Sequence, residues 1–124
     1  MKFQKDNSFI TGRLKSVSFA VHGAIKLVTT EHSIMVQFFI AIIMTAVGFY
    51  LQITATEWLF QILAIGLVMS IEGINTAVEK IADFIHPDFH EKIGFIKDIA
   101  AGAVFFAAVT AVAIGLIIYL PKFL

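Results

Sequence analysis

The 124 residues read as an all-α membrane protein: an N-terminal amphipathic helix at the membrane interface, followed by three membrane-crossing helices. Three observations carry that reading. The composition is 59% hydrophobic and 15% charged, whereas soluble domains run near half apolar and a quarter charged. Mean hydropathy is +0.90, and a soluble domain of this size has too little interior to hide so much apolar surface. The 18 charged residues are also clustered. Seven lie within residues 1–31 and nine within 72–98, with Glu57 and Lys122 alone elsewhere. A net charge of zero argues against a nucleic-acid binder, whose domains are usually strongly basic. With no cysteine there is no disulfide scaffold, thiolate metal site or cysteine nucleophile.

Residues 8–30 form the expected amphipathic helix, within a single membrane domain of residues 1–124. Leu14, Val17, Val21, Ile25 and Val28 recur at helical spacing, while Arg13, Lys15, Ser16, His22 and Lys26 take the other faces. No small-residue cleavage pattern follows a short apolar core, so a signal peptide is not expected. Residues 33–53 and 98–120 are charge-poor stretches of about 20 residues, enough to cross roughly 30 Å of hydrocarbon. The middle span, residues 57–86, is cleanly apolar only to Ile71 and completes its crossing through a polar stretch. Pro87 ends it near His86, because proline disfavours helix at the preceding residue, and residues 87–93 are expected as a loop. Gly102, Ala103, Ala107 and Ala111 mark a close-packed face on the last span, and Trp58 reads as an interface anchor.

Topology follows from the basic residues. Five precede the first span, three lie between Lys80 and Lys97, and none lies in the 53–57 turn. The positive-inside rule then makes the N-terminus and the 80–97 segment cytoplasmic.

The polar stretch of the middle span is the most informative part of the chain. Glu72, Asn75, Glu79 and Asp83 are spaced three, four and four apart, which puts them in one stripe of a helix. A carboxylate deep in a bilayer costs roughly 2.5–3.5 kcal/mol on insertion scales, so the stripe must face protein, water or a cation. Glu31 ahead of the first span and Lys97-Asp98 ahead of the third flank the same side and can converge with Glu79. Carboxylates with open positions suit Mg²⁺ brought in with a nucleotide, and a lysine beside them can neutralise phosphate charge. The common nucleotide signatures, a Walker loop and a G-x-G-x-x-G turn, are absent.

The run Glu72-Gly73-Ile74-Asn75-Thr76-Ala77-Val78-Glu79, with Asp83 and then Lys97-Asp98, resembles the signature of the prokaryotic diacylglycerol kinase family, E-x-x-N-[ST]-A-[IV]-E, then D, then K-D. Glu31 and the His90-Glu91 segment before Gly94 fit as well, and the likeness extends from about Arg13 into the third span. The resemblance implies a homotrimeric lipid kinase of the bacterial inner membrane that passes the γ-phosphate of ATP-Mg²⁺ to a lipid hydroxyl. Diacylglycerol, giving phosphatidic acid, is the expected acceptor, with undecaprenol as the alternative. Carried over residue by residue, it makes Glu72 the general base and Asn75 a group that positions the reactants. Glu31 and Glu79 become the magnesium ligands, and Lys97 and Asp98 nucleotide contacts. Asp88, Phe89 and His90 would lie by the nucleotide, as would Arg13 and Phe19, the latter where the family often has tyrosine.

A rival class, a small ion or proton transporter, would use Glu72 and Glu79 as a relay. It would need acids along the whole crossing depth, and the outer half of every span lacks them. A purely structural membrane adaptor has no use for the stripe.

Overall fold

A computed structural model describes residues 9–124. Lys2, Lys5 and Asp6 of the first charge cluster, and the expected helix start at residue 8, lie outside the described residues. The described residues are all-helical apart from short connections: α1 (Phe9–Thr30), α2 (His32–Tyr50), α3 (Ala55–Ile85) and α4 (Glu91–Phe123). The last three are long and apolar enough to cross a membrane, as an all-α membrane protein requires.

The breaks between helices have local causes. Glu31 alone, in extended conformation, separates α1 from α2. α2 ends in a Schellman turn: the Gln52 N–H donates to the Phe49 carbonyl at 3.3 Å and the Ile53 N–H to the Gly48 carbonyl at 3.1 Å. The turn needs a left-handed residue, and Gln52 supplies it at φ 51° where glycine would be unstrained. The span expected to run to residue 53 therefore stops at Tyr50. Thr54 then caps α3 reciprocally, its side chain accepting from the Glu57 N–H while Glu57 accepts from the Thr54 N–H. Trp58 is no free anchor. It packs against Phe49 with ring centroids 4.8 Å apart and lies so close over Gly48 that a Cβ there would sit 2.7 Å from the indole.

At the other end of α3, the chain turns at His86-Pro87, as the proline requires. α4 starts at Glu91, ahead of the expected start near 98, because His90 caps it: its Nδ1 accepts the Lys92 N–H at 3.0 Å. The connector is correspondingly short.

α3 and α4 form the main hairpin. Tyr119 bonds to Gln61 near one end and Lys97 pairs with Asp83 near the other. Each tie lies 22 residues from the next along its own helix, so the two helices run antiparallel in one register without a slip. α2 joins them where the Gln61 side-chain amide donates to the Met44 carbonyl at 3.0 Å. On the expected small-residue face of α4 only Ala107 is buried; Gly102 and Ala111 are half-buried and Ala103 is exposed. α1 has no buried residue. Its apolar row of Leu14, Val17, Val21 and Ile25 is open, and the helix meets α3 near its own end, where Leu27 lies against Gly73.

Candidate functional site

The inward face of α3 can be read from its buried residues, Gln61, Ala64, Glu72, Asn75 and Ala82. Their spacing is that of a helix seam facing its neighbours, so Glu72 and Asn75 of the polar stripe lie on the protein-facing side of α3, while Glu79 and Asp83 are exposed. Glu72 is 7% exposed and Asn75 8%. The α3–α4 register sets Glu72 level with Ala107 and Ala108.

From Glu72 the stripe climbs out of the packed region. The Asn75 Nδ2 donates to Glu79 Oε1 at 3.2 Å. The Asn75 Oδ1 is buried and has no protein partner, an acceptor that normally demands a donor. Glu79 itself is exposed. One residue on, Lys80 Nζ reaches Glu31 Oε1 at 3.3 Å, which ties the α1–α2 break to the same level of α3 as Glu79. A turn further, Lys97 Nζ meets Asp83 Oδ1 at 2.6 Å. Lys97 is thus brought to Asp83 rather than to Glu79, and Asp98 beside it is exposed. Both ion pairs are substantially solvent-exposed, so they add little stability.

The α3–α4 connector lies beyond Asp83. The His86 Nδ1–H donates to the Asp88 carbonyl at 2.6 Å, the His86 and His90 rings meet edge to face at 5.3 Å, and Phe89 is 86% exposed. Arg13 is not brought to this cluster. Arg13 is exposed with its guanidinium 5.0 Å over the Phe9 ring, about 27 Å along the chain from Glu31 by helix rise. Phe19 is half-buried on α1. Among the described residues no three His, Cys, Asp or Glu side chains gather into a metal cage.

On the other side of Glu72, a cavity of about 410 Å³ opens between α2, α3 and α4. Its α3 wall runs from Met69, three residues before Glu72, to Gln61, and its lining is nearly all apolar. Gln61 and Gln37 are the exceptions: the Gln61 amide is bonded to α2 and α4, whereas the Gln37 Oε1 is buried without a protein partner.

Three residues escaped the reading of charges along the sequence. Lys80 served only for topology, although it neighbours Glu79. Gln37 and Gln61 carried the signal that could have found them, an amide within an apolar span, where an unsatisfied polar group is expensive.

Residues 18–119 match the family model described as prokaryotic diacylglycerol kinase. The chain is 36% identical to the undecaprenol kinase of Bacillus subtilis over 108 residues, covering 87% of this chain and 88% of that protein. It is 31% identical to the diacylglycerol kinase of Haemophilus influenzae over 98 residues, 79% of this chain and 83% of the relative. The diacylglycerol kinase of Synechocystis is also 31% identical, over 90% of this chain and 64% of its own length. With a buried Glu-Asn pair on α3, carboxylates at its charged end and these likenesses along most of its length, the chain belongs to the prokaryotic diacylglycerol kinase family.

Proposed function

We propose that the protein is a membrane lipid kinase that transfers the γ-phosphate of ATP to a lipid hydroxyl, diacylglycerol giving phosphatidic acid. The observation that carries this is the layering of the stripe. Glu72 and Asn75 are buried among the spans, while Glu79, Glu31, Lys80, Asp83 and Lys97 lie progressively nearer the charged end. A lipid hydroxyl stays at membrane depth and ATP stays in water, so a base below and anion-handling groups above are what the reaction needs.

In this reading the lipid lies with its hydrocarbon along the apolar cavity, which starts one turn from Glu72. Glu72 accepts the hydroxyl proton as the oxygen attacks the γ-phosphorus, and ADP departs. Asn75, with its Nδ2 tied to Glu79 and its Oδ1 free of protein partners, positions the reacting groups beside Glu72. Lys97, Asp98 and the connector residues Asp88, Phe89 and His90 hold the nucleotide. The family likeness alone assigns Arg13 and Phe19 to the nucleotide, and in this chain Arg13 lies about 27 Å along α1 from Glu31.

Glu31 and Glu79 are the residues that would hold Mg²⁺. Two carboxylates without a third suit an ion that keeps its waters and takes further oxygens from phosphate, not a protein-caged one. When bound with ATP, the ion supplies charge neutralisation at the transferring phosphoryl group. The working form is a homotrimer in the bacterial inner membrane, one membrane domain per chain (residues 1–124), with the N-terminus and the α3–α4 connector in the cytoplasm.

The greater identity to the Bacillus undecaprenol kinase favours a second reading, undecaprenol as the acceptor. Both are tested by phosphate transfer from labelled ATP-Mg²⁺ in mixed micelles, with the two lipids offered in parallel and Glu72→Gln as control. Product from one lipid names the acceptor. Turnover in Glu72→Gln should fall by about 10²- to 10⁴-fold; an unchanged rate would remove Glu72 as the base.

A further inference from the structure

Glu72 stands midway between two polar ties, 11 residues from Gln61 and 11 from Asp83, about 16 Å from each by helix rise. The Asp83–Lys97 tie lies at the charged end among the groups assigned to the nucleotide. The other tie has no part in that chemistry. Gln61 is 5% exposed, and its one amide serves both neighbouring helices. Its nitrogen donates to the Met44 carbonyl of α2, and its oxygen accepts from the Tyr119 hydroxyl of α4.

Apolar packing holds α3 firmly at its Thr54 end, where Trp58 joins the cluster of Ile53, Ile118 and Tyr119, but is interrupted between Gln61 and Glu72. The cavity of about 410 Å³ removes side-chain contacts beside Gln61, and much of its lining is Ala, Gly and Met. Lipid tails are as apolar as these side chains, so within a bilayer such surfaces discriminate weakly between rotations and registers. A buried amide discriminates strongly, because any other rotation exposes its donor and acceptor to hydrocarbon, as a single buried polar residue can fix register in a helix pair. Glu72 and Asn75 share the inward seam with Gln61, so the rotation that seats the amide also turns the carboxylate inward. Toward the charged end, the short connector to α4 holds α3 independently, with the exposed Lys80–Glu31 and Lys97–Asp83 pairs as weak additions.

We infer that Gln61, acting with Tyr119, is a positioning residue for phosphoryl transfer: it sets the rotation of α3 that presents Glu72 to the lipid hydroxyl, from a point remote from the nucleotide. The inference rests on Glu72 being the base. Losing the tie frees the middle of α3 while the nucleotide end stays pinned, so its signature is a loss in kcat without a change in the KM for ATP.

The test is steady-state kinetics of the full-length protein in mixed micelles for Gln61→Leu, Tyr119→Phe, the double variant and Gln61→Glu, with Glu72→Gln alongside. Leucine enters a bilayer more readily than glutamine, which guards Gln61→Leu against failed insertion. Its kcat should fall by at least about tenfold, since small misplacements of reacting groups are costly, with the KM for ATP-Mg²⁺ within about twofold. Tyr119→Phe, which keeps the Met44 bond, should lose less. The double variant should lose no more than Gln61→Leu alone, because one tie is broken in both. Gln61→Glu, whose neutral carboxyl keeps one donor and one acceptor, should recover most of the kcat. Parent kcat in Gln61→Leu, with Glu72→Gln inactive, overturns the positioning role alone. A parallel loss of kcat and ATP affinity that Gln61→Glu does not restore also overturns it, by making the tie merely structural. Full activity in Glu72→Gln instead removes the base assignment on which the inference depends.

Discussion

The two ends of α3 belong to one helix but are held by different forces. At the Thr54 end the chain is tightly specified: a Schellman turn through Gln52, a reciprocal cap between Thr54 and Glu57, the Trp58 indole against Gly48, and the Gln61 amide shared by two neighbours. Lys122 of α4 adds an ion pair to Glu57 at 3.2 Å. At the other end Glu72 and Asn75 are buried, Glu79 is exposed, and the ties are ion pairs between long, solvated side chains. One end is built for fixed geometry. The other keeps an unpaired acceptor on Asn75 and open carboxylates, polar capacity that a merely structural helix would have satisfied internally. The difference puts firm ties in the first region and unsatisfied polar capacity in the second, as the proposed chemistry requires.

Substitutions can break that division. After Glu72, the largest effect is expected at Glu79: Glu79→Gln should lower turnover by about a hundredfold at limiting Mg²⁺, with the helical structure kept, as followed by circular dichroism. If stability fell as well, the charged end would be structural too. Next is Gly48→Ala, which must displace the Trp58 ring and should cost about 1–3 kcal/mol in denaturant unfolding while the rate at low denaturant persists. Thr54→Ala removes the side-chain half of the cap and should cost about 1 kcal/mol, again without touching kcat. The smallest and opposite effect is at Gln52. Gln52→Gly relieves a left-handed residue and should raise stability by a few tenths to about 1 kcal/mol. A loss of activity in any of these last three would mean that the Thr54 end reaches the site more strongly than the Gln61 tie alone provides.

Much of this was legible in the sequence. A bilayer tolerates few charges, so the two clusters and the gaps between them marked three spans before any contact was known. The three-four-four spacing of Glu72, Asn75, Glu79 and Asp83 fixed the stripe, because helical periodicity is local. Where α2 ends and α4 begins was less legible. Both ends depend on caps, the Gln52 turn and the His90 ring, and hydropathy averages over single hydrogen bonds.

What the sequence determined by itself is therefore class, span number, the polar stripe and family, all of them carried by composition, period and motif. Only the tertiary structure decided which charges meet. Lys80 goes to Glu31 and Lys97 to Asp83, while Arg13 stays with Phe9 at the far end of α1. It also decided that Gln61 bridges α2 and α4 and that Glu72 turns inward. The reason is that pairing depends on the rotation and register of one helix against another. Those are set by contacts between residues far apart in the chain, such as Gln61 and Tyr119, and no local pattern encodes them.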